Sequence, residues 1–193
     1  MKIQRRPSTV VLPVPVVLVS VAGDEGGAPD IVTVAWAGNV CSAPPMLSIS
    51  VRPSRHSYRL LQRSHDFVVN LPRASQVRQV DYCGNVSGRD ADKFAACGFK
   101  ATPAARVRTP LIGECPINID CVTRHRLSLG AHDLFVGEVL AVHFDDDVLD
   151  SRGRLQPAKV DALAYLHGDY WSLAEKLGSY GFTLRESKEE AKR

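Results

Sequence analysis

The stretch SISVRPSRHSYRLL, residues 48–61, joins a short strand directly to the start of a helix. Its first half alternates apolar and polar residues, which is the pattern of a half-buried strand, and the Arg52-Pro53 step ends that alternation. Ser54 is a candidate helix cap, and the apolar residues that follow it recur at the spacing of a helix face. This stretch therefore predicts a strand that leads straight into a helix N-terminus.

The predicted helix N-terminus has the residues of an anion site. Free backbone N–H groups and the positive end of the helix dipole meet at such an end, and both attract phosphate and carboxylate groups. Arg52, Ser54, Arg55 and Ser57 surround it. These groups together suit a phosphate monoester, although an ordinary capped surface helix with solvated arginines is an alternative that this stretch alone leaves open.

The chain has the size and composition of a single soluble domain. It contains 193 residues, of which 45% are hydrophobic, and its formal net charge is +3. Because the basic residues are scattered rather than gathered into one stripe, no nucleic-acid partner is expected. No apolar run reaches the roughly 20 residues of a membrane helix, so no membrane association is expected either. We expect one domain over residues 1–193, with an N-terminal lead-in over 1–13 and a charged tail over 186–193.

Cysteine usage and the N-terminal sequence both favour a cytoplasmic protein. The five cysteines are an odd number without a CxxC pair, which is typical of reduced thiols. Basic residues before the apolar run Val10–Val21 allow a secretion signal as an alternative. Pro13 and Pro15 interrupt that run, however, and its valine content suits a buried strand better than a signal helix.

Strand patterns dominate the chain, and the helical patterns are short. The predicted strands are Val14–Val21, Ile31–Trp36, Met46–Val51, Asp66–Leu71, Pro116–Arg126 and Leu134–Phe144. Residues 41–45 (CSAPP) predict a rigid connector, because two prolines fix the backbone there. Short helices are expected between Pro72 and Gly98, and a longer one over Leu163–Leu177. Because strands and helices do not alternate regularly, the fold class is mainly β (α+β): an antiparallel barrel with inserted short helices and a C-terminal helix.

No motif identifies a hydrolytic, metal-dependent or nucleotide-triphosphate site. The sequence contains no GxSxG, HExxH, Walker A or GxGxxG motif. Its six histidines include no pair at i, i+4 spacing, so no metal ligands are predicted.

Five blocks of sequence are more informative in combination. In order they are TVAWAG (33–38), CSAPP (41–45), SVRPSR (50–55), DYCG with SGRD and DKF (81–94), and GAHDLFVGEV (130–139). With this order and spacing, the chain resembles the flavin reductase-like family of FMN-binding split barrels, in particular its flavoredoxin and ferric-reductase-like branch. The match runs from about Pro13 to Phe182. It implies an antiparallel Greek-key split β-barrel that binds FMN at a homodimer interface.

The resemblance also implies which residues bind FMN. They are Thr33, Val34, Ala35, Trp36, Ser42, Ser50, Arg52, Ser54, Ser57, Tyr58 and Lys93. The phosphate would lie after the third strand, with Lys93 as a point charge, and the flavin ring would lie along the second strand and the connector. A solvated helix lysine is the alternative for Lys93, and an ordinary core tryptophan is the alternative for Trp36.

His132 is the candidate catalytic residue. Related flavin reductases carry Gly-Asp-His where this chain has Gly130-Ala131-His132, so the middle carboxylate is missing. This departure leaves open the role of His132, for which a structural histidine at a strand start is the alternative, and the preference between NADH and NADPH. His167, Tyr170 and Trp171 are further candidates, expected to approach the flavin from the C-terminal helix. Packing or a dimer contact is the alternative for these three side chains.

The expected function is that of an FMN-dependent oxidoreductase. NADH or NADPH would reduce FMN, and the electrons would pass to free flavin, ferric iron or a partner protein. FMN supplies the redox chemistry in such proteins, so no acid–base motif is required. Two alternatives stay open: a non-catalytic FMN electron carrier of the flavoredoxin type, and a flavin-free binding protein on the same fold.

Overall fold

The computed structural model describes residues 1–185, so the predicted charged tail over 186–193 lies outside the described residues. The strands are β1 Val14–Pro15, β2 Val17–Val21, β3 Asp30–Val34, β4 Ala37–Ser42, β5 Pro45–Val51, β6 Asp66–Leu71, β7 Ala101–Thr102, β8 Leu111–Ile112, β9 Ile117–Ser128, β10 Asp133–Phe144, β11 Leu163–Leu166 and β12 Asp169–Ser172. The α-helices are α1 His56–Ser64, α2 Val77–Asn85, α3 Lys93–Cys97 and α4 Pro157–Val160. Within residues 1–185, no helix is long and apolar enough to cross a membrane.

Seven strands form one antiparallel sheet in the order β3-β2-β6-β9-β10-β5-β4. The two edge strands, β3 and β4, are consecutive in the chain and are separated only by Ala35 and Trp36. Three peptide units span at most about 11 Å, so the opposite edges of the sheet must approach each other and the sheet curls into a barrel. The N–H of Ser50 donates a 2.9 Å hydrogen bond to the carbonyl of Trp36 and ties this crossing to β5. The mainly β barrel predicted from the sequence is thereby confirmed.

The barrel interior is a continuous apolar core. Ile49, Phe67 and Phe135 are no more than 1% exposed, and they belong to three different strands of the sheet. Gly137 on β10 packs directly against Phe67, since a Cβ added at Gly137 would lie 2.6 Å from the Phe67 Cζ. A second apolar cluster lies between the sheet and the helices α2 and α3, and it includes Leu18, Ile31, Val80, Cys83 and Phe94.

The strand predictions agree closely with the structure for four strands of the main sheet. Strand β6 has the predicted bounds, and β5, β9 and β10 differ from the predicted strands by one or two residues at their ends. The predicted strand Val14–Val21 is two strands, because β1 pairs with β11 and β2 pairs with β3 and β6.

The connector predicted over residues 41–45 is wrong. Strand β4 runs to Ser42 and pairs antiparallel with β5, so that Ala43-Pro44 forms the turn of a hairpin. The prolines were compatible with this arrangement because β4 is an edge strand and Pro45 is the first residue of β5.

The predicted C-terminal helix over Leu163–Leu177 is also wrong. Strands β11 and β12 form an antiparallel hairpin there, and residues 173–179 have no regular structure. His167 and Gly168 have positive φ angles of 49° and 109° and turn the chain back on itself. The aromatic side chains of Tyr165 and Tyr170 stabilise the hairpin as a cross-strand pair, with ring centroids 5.8 Å apart.

Candidate functional site

A cleft of about 550 Å³ opens where the barrel edges meet. Residues 32–36 and 50–52 line it from the sheet, and His132 lines it from the loop before β10. Tyr165, His167 and Gly168 reach it from the β11–β12 hairpin, and Thr9, Val11, Leu12 and Val14 reach it from the N-terminal segment. The crossing that closes the barrel, Ala35 and Trp36, therefore also lies in the wall of this cleft.

A smaller polar pocket of about 370 Å³ adjoins the cleft at the N-terminus of α1. Arg52 and Arg55 line both cavities, so the two share a wall. The other residues around the pocket are Ser54, His56, Ser57, Asn85, Val86, Ser87, Gly88 and Lys93. One pocket is thus lined by the four predicted phosphate ligands, Arg52, Ser54, Ser57 and Lys93, and by Arg55, for which a solvated arginine was the alternative.

The N-terminus of α1 has no side-chain cap. Arg55 is the N-cap residue, it makes no capping hydrogen bond, and the first turn contains no acidic residue. The predicted cap Ser54 lies one residue earlier and is exposed, so that prediction is wrong. The first-turn N–H groups of this nine-residue helix therefore face the polar pocket without a capping side-chain acceptor of their own.

Lys93 reaches the wall of the polar pocket, but its charge is already paired. The side chain is 3% exposed, and its Nζ lies 3.2 Å from Oδ1 of Asp30 and donates to the carbonyl oxygens of Ile31 and Cys83. Asp30 is also buried, and neither of its carboxylate oxygens accepts a well-oriented hydrogen bond, so the contact with Lys93 is one of charge alone. The alternative of a solvated lysine is wrong, and Lys93 is not a free point charge either.

Tyr58 lies outside both cavities, in a polar network beneath the cleft. Its hydroxyl donates to Oδ2 of Asp133 at 2.6 Å and accepts from Nη2 of Arg126 at 2.7 Å. Nε of Arg126 donates to the same Asp133 oxygen at 2.7 Å. These hydrogen bonds, from Tyr58 first and then from Arg126, hold the pKa of Asp133 below its usual range. The network joins α1, β9 and the start of β10, so Tyr58 positions these elements and does not line the predicted binding site.

His132 and Trp36 are in contact at the cleft wall. Their ring centroids are 4.5 Å apart and the rings are tilted by 43°. Burial lowers the pKa of His132, and the nearby positive charge of Arg52 lowers it further, so the imidazole is neutral at pH 7. Trp36 is 41% exposed, which rules out the alternative of an ordinary core tryptophan.

The remaining predicted ligands divide into two groups. Val34, Ala35 and Ser50 line the cleft, and so does Thr33, although its hydroxyl donates to the carbonyl of Val80. Ser42 does not line the cleft, because it is exposed at the turn between β4 and β5. All residues of the predicted ligand set except Ser42 and Tyr58 therefore line one of the two cavities.

Of the three residues predicted to approach the flavin from near the C-terminus, one lines the cleft and two do not. His167 lines the cleft as predicted, but from a hairpin turn rather than from a helix. Tyr170 packs on Tyr165 and donates to Asp81, and Trp171 is 54% exposed and lies outside the cleft lining. The cleft residue Tyr165 and the N-terminal residues 9–12 were not predicted, and no local pattern marks them.

The flavin reductase-like domain model matches residues 9–174 of the chain. The chain belongs to the flavin reductase-like family. It is similar to flavoredoxin of Desulfovibrio vulgaris (Miyazaki F), with 32% identity, 93% of this chain and 97% of that chain covered, and a TM-score of 0.87. It is also similar to an FMN-binding protein from Thermus thermophilus, with 25% identity, 93% and 99% covered, and a TM-score of 0.79.

A further relative has an assigned reaction. FMN reductase (NADH) RutF of Stutzerimonas stutzeri (strain A1501) is 26% identical over 138 residues, which cover 70% of this flavin reductase-like chain and 70% of that protein. The family and the split-barrel fold inferred from the five sequence blocks are thus confirmed.

The two cavities of this flavin reductase-like protein fit the two ends of FMN. The polar pocket offers arginines and uncapped helix N–H groups, which are the donors that a phosphate monoester requires. The adjoining cleft is larger and presents Trp36, Val34 and Ala35, which suit a flat aromatic ring.

Proposed function

We propose that this chain binds FMN across the two adjoining cavities. The phosphate binds at the N-terminus of α1, with Arg52 as its main side-chain ligand and Arg55, Ser54 and Ser57 around it. The observation that carries this proposal is the uncapped end of α1, which lies beside a pocket that shares Arg52 and Arg55 with the cleft.

The cleft residues orient the flavin ring rather than perform acid–base chemistry. Trp36 and His132 pack together at one wall, and the backbone of residues 33–36 offers hydrogen-bonding groups at the barrel edge. Because His132 is neutral at pH 7, it provides a hydrogen-bonding group beside the ring without adding a positive charge. When bound, FMN supplies the hydride and electron chemistry.

The activity proposed for the loaded protein is that of an FMN-dependent oxidoreductase. NADH or NADPH is the electron donor, and free flavin, ferric iron or a partner protein is the acceptor. The relative named FMN reductase (NADH) supports this class of reaction. His132 and His167 border the cleft from two different elements and are placed to contact the second substrate.

We also propose a cytoplasmic homodimer with the cleft near its interface. Strand β4 is an edge of the main sheet, and its residues 38–42 are exposed. Trp36, Val40 and Leu129 expose apolar side chains on this side and on the loop that carries His132, at 41%, 52% and 63%. Such apolar surface next to a ligand cleft suits a second copy of the chain. Sedimentation measurements test this, and a monomer that retains FMN would contradict it.

A second candidate function is a non-catalytic FMN electron carrier. The similarity to flavoredoxin, at 32% identity and a TM-score of 0.87, favours it. The carrier needs the same phosphate site and the same ring cleft, and differs only in that a partner protein, not NADH or NADPH, reduces the flavin.

Anaerobic titration of the FMN-loaded protein with NADH and with NADPH separates the candidates. The oxidoreductase loses its visible flavin absorbance with one of the two nucleotides. A carrier stays yellow with both and is bleached by dithionite, which would contradict the first proposal. Protein that fails to take up FMN would contradict both.

The matched variants are His132→Gln and His125→Gln. His132 lines the cleft, whereas His125 is exposed on β9 and does not line it. We expect the first substitution to slow bleaching and the second to leave its rate unchanged.

A further inference from the structure

Cys83 and Cys97 form a pair of thiols beside the polar pocket. Cys83 lies on α2 and Cys97 is the last residue of α3, and their Sγ atoms are 3.6 Å apart. This separation is van der Waals contact between two sulfur atoms, so a modest side-chain movement brings them within bonding distance.

The two thiols differ in their access to solvent. Cys83 is completely buried, whereas Cys97 is partly exposed. A small oxidant in water can therefore reach Cys97 more readily than Cys83, and the Cys83 thiol is accessible mainly to the adjacent Cys97 sulfur.

The hydrogen bonding of the two thiols also favours oxidation of Cys97 before Cys83. Burial raises the pKa of both thiols and the positive charge of Lys93 lowers both, but the hydrogen bond between the two thiols raises the pKa of Cys83 and lowers that of Cys97. The thiolate is the reactive form of cysteine, so this hydrogen bond favours Cys97, which is also the more exposed thiol, as the one that is oxidised first.

We propose that Cys97 and Cys83 are a peroxide-oxidation site that closes to an intramolecular disulfide. The sulfur of Cys97 attacks the O–O bond of hydrogen peroxide, which yields a sulfenic acid and one water. The sulfur of Cys83 then attacks the Cys97 sulfur, the S–S bond forms, the S–O bond breaks and a second water leaves. In sum, two thiols lose two electrons and two protons, and one peroxide is reduced to two waters.

Only the source of the oxidant rests on the proposed function. Reduced flavin that meets dioxygen generates hydrogen peroxide, so a flavin-loaded protein would produce this oxidant at its own surface. The thiol pair itself is independent of FMN.

The disulfide would join α2 to α3 at the wall of the polar pocket. Residues 85–88 continue from α2 and line that pocket, and Nζ of Lys93 donates to the carbonyl of Cys83 at 3.4 Å. The bond also closes a loop between residues 83 and 97, which restricts the unfolded chain. Oxidation is therefore expected to raise the unfolding temperature.

The test uses the purified full chain without added flavin. Protein is treated with hydrogen peroxide, its free thiols are alkylated with N-ethylmaleimide under denaturing conditions, and the products are analysed by mass spectrometry before and after reduction. After oxidation we expect three of the five cysteines to be alkylated, because the other two are in the disulfide. Trypsin should release residues 79–89 disulfide-bonded to residues 94–100, and reductant should separate these peptides and reverse the rise in unfolding temperature.

Three variants make the result specific. Cys97→Ser should prevent the loss of two thiols, and Cys41→Ser, at the exposed cysteine on β4, should leave it unchanged. Cys83→Ser should leave Cys97 as a sulfenic acid that dimedone traps. The proposal is overturned if all five thiols of the unsubstituted chain stay alkylatable, or if the disulfides instead join Cys41 residues of two chains. Because no step requires FMN, such a result leaves the proposed FMN function unaffected.

Discussion

Replacing Tyr58 by Phe tests the network that connects the anion site to His132. The substitution removes one hydroxyl, which donates to Asp133 at 2.6 Å and accepts from Arg126 at 2.7 Å. The ring keeps its edge contact with Phe135, at a centroid distance of 5.8 Å. The change therefore isolates the two hydrogen bonds from the packing of α1.

The expected loss is about 2 kcal/mol of unfolding free energy. A hydrogen bond to a charged group contributes about 1.5–3 kcal/mol. Arg126 still binds Asp133 in the variant, and its side chain is 40% exposed, so the loss stays below the sum for two such bonds and near the lower end of the range for one. For a chain of this length, about 2 kcal/mol corresponds to a decrease in unfolding temperature of about 4–8 °C.

The assay is urea unfolding of the flavin-free protein, with Tyr170→Phe as the matched control. Tyr170 loses the same hydroxyl, which donates to Asp81 at 3.2 Å on the surface, so its loss should be below about 0.5 kcal/mol. The stabilising role of the Tyr58 hydroxyl is refuted if Tyr58→Phe is as stable as the parent chain, or if both variants lose the same unfolding free energy.

The pH dependence gives an independent check. The folded-state pKa of Asp133 lies below its ordinary 3.8, with the Tyr58 hydrogen bond as the largest cause. The stability that this shift provides is present above pH 3.8 and is lost as the pH falls through the lower, folded-state pKa. The difference between parent and Tyr58→Phe should therefore be constant near pH 7 and narrow in acid, whereas a difference that widens in acid would contradict the assignment.

Two further predictions concern the core and the buried ion pair. Gly137→Ala should lower the unfolding free energy by about 1–3 kcal/mol because its Cβ would lie 2.6 Å from Phe67. Gly38→Ala is the control, since no atom lies within 4 Å of its Cβ, and it should change the unfolding free energy by less than about 1 kcal/mol. Equal losses for the two variants in urea unfolding would contradict the close packing of Gly137 on Phe67. Lys93→Met should lower the unfolding free energy by about 3 kcal/mol because it removes the positive charge that lies 3.2 Å from the buried Asp30 carboxylate. Adding Asp30→Asn to that variant should recover part of the loss, and no recovery in the double variant would show that the pair is not coupled.

The sequence predicted those parts of the fold that local patterns encode. Strand β6 is a short run around the consecutive apolar residues Phe67, Val68 and Val69 and is followed by Pro72, and its predicted limits match the structure. Strand β4 was missed because residues 38–42 are exposed on the edge of the sheet and show no alternation of buried residues. The β11–β12 hairpin was predicted as a helix because its aromatic spacing fits both structures, and only the positive φ angles at residues 167 and 168 distinguish them.

The site was predicted less completely because side-chain partners lie far away in sequence. Tyr58 sits on a helix whose first turn lines the polar pocket, but its orientation follows from Asp133, which is 75 residues away. Lys93 likewise owes its burial to Asp30 at the start of β3. The grouping of Arg52, Ser54 and Ser57 around the polar pocket was predictable because these residues adjoin the helix N-terminus in the chain, and chain geometry alone places them together.

The central claim is that Arg52 and the N-terminus of α1 hold the FMN phosphate. Its most direct test is equilibrium titration of flavin-free protein with FMN, for the parent chain, Arg52→Ala and Arg89→Ala. Arg52 lines both cavities, whereas Arg89 is exposed and lines neither. Loss of a charge-assisted phosphate contact of about 1.5–3 kcal/mol predicts about 10- to 100-fold weaker binding for Arg52→Ala, with Arg89→Ala within about twofold of the parent. Equal affinities for the three proteins would contradict the claim.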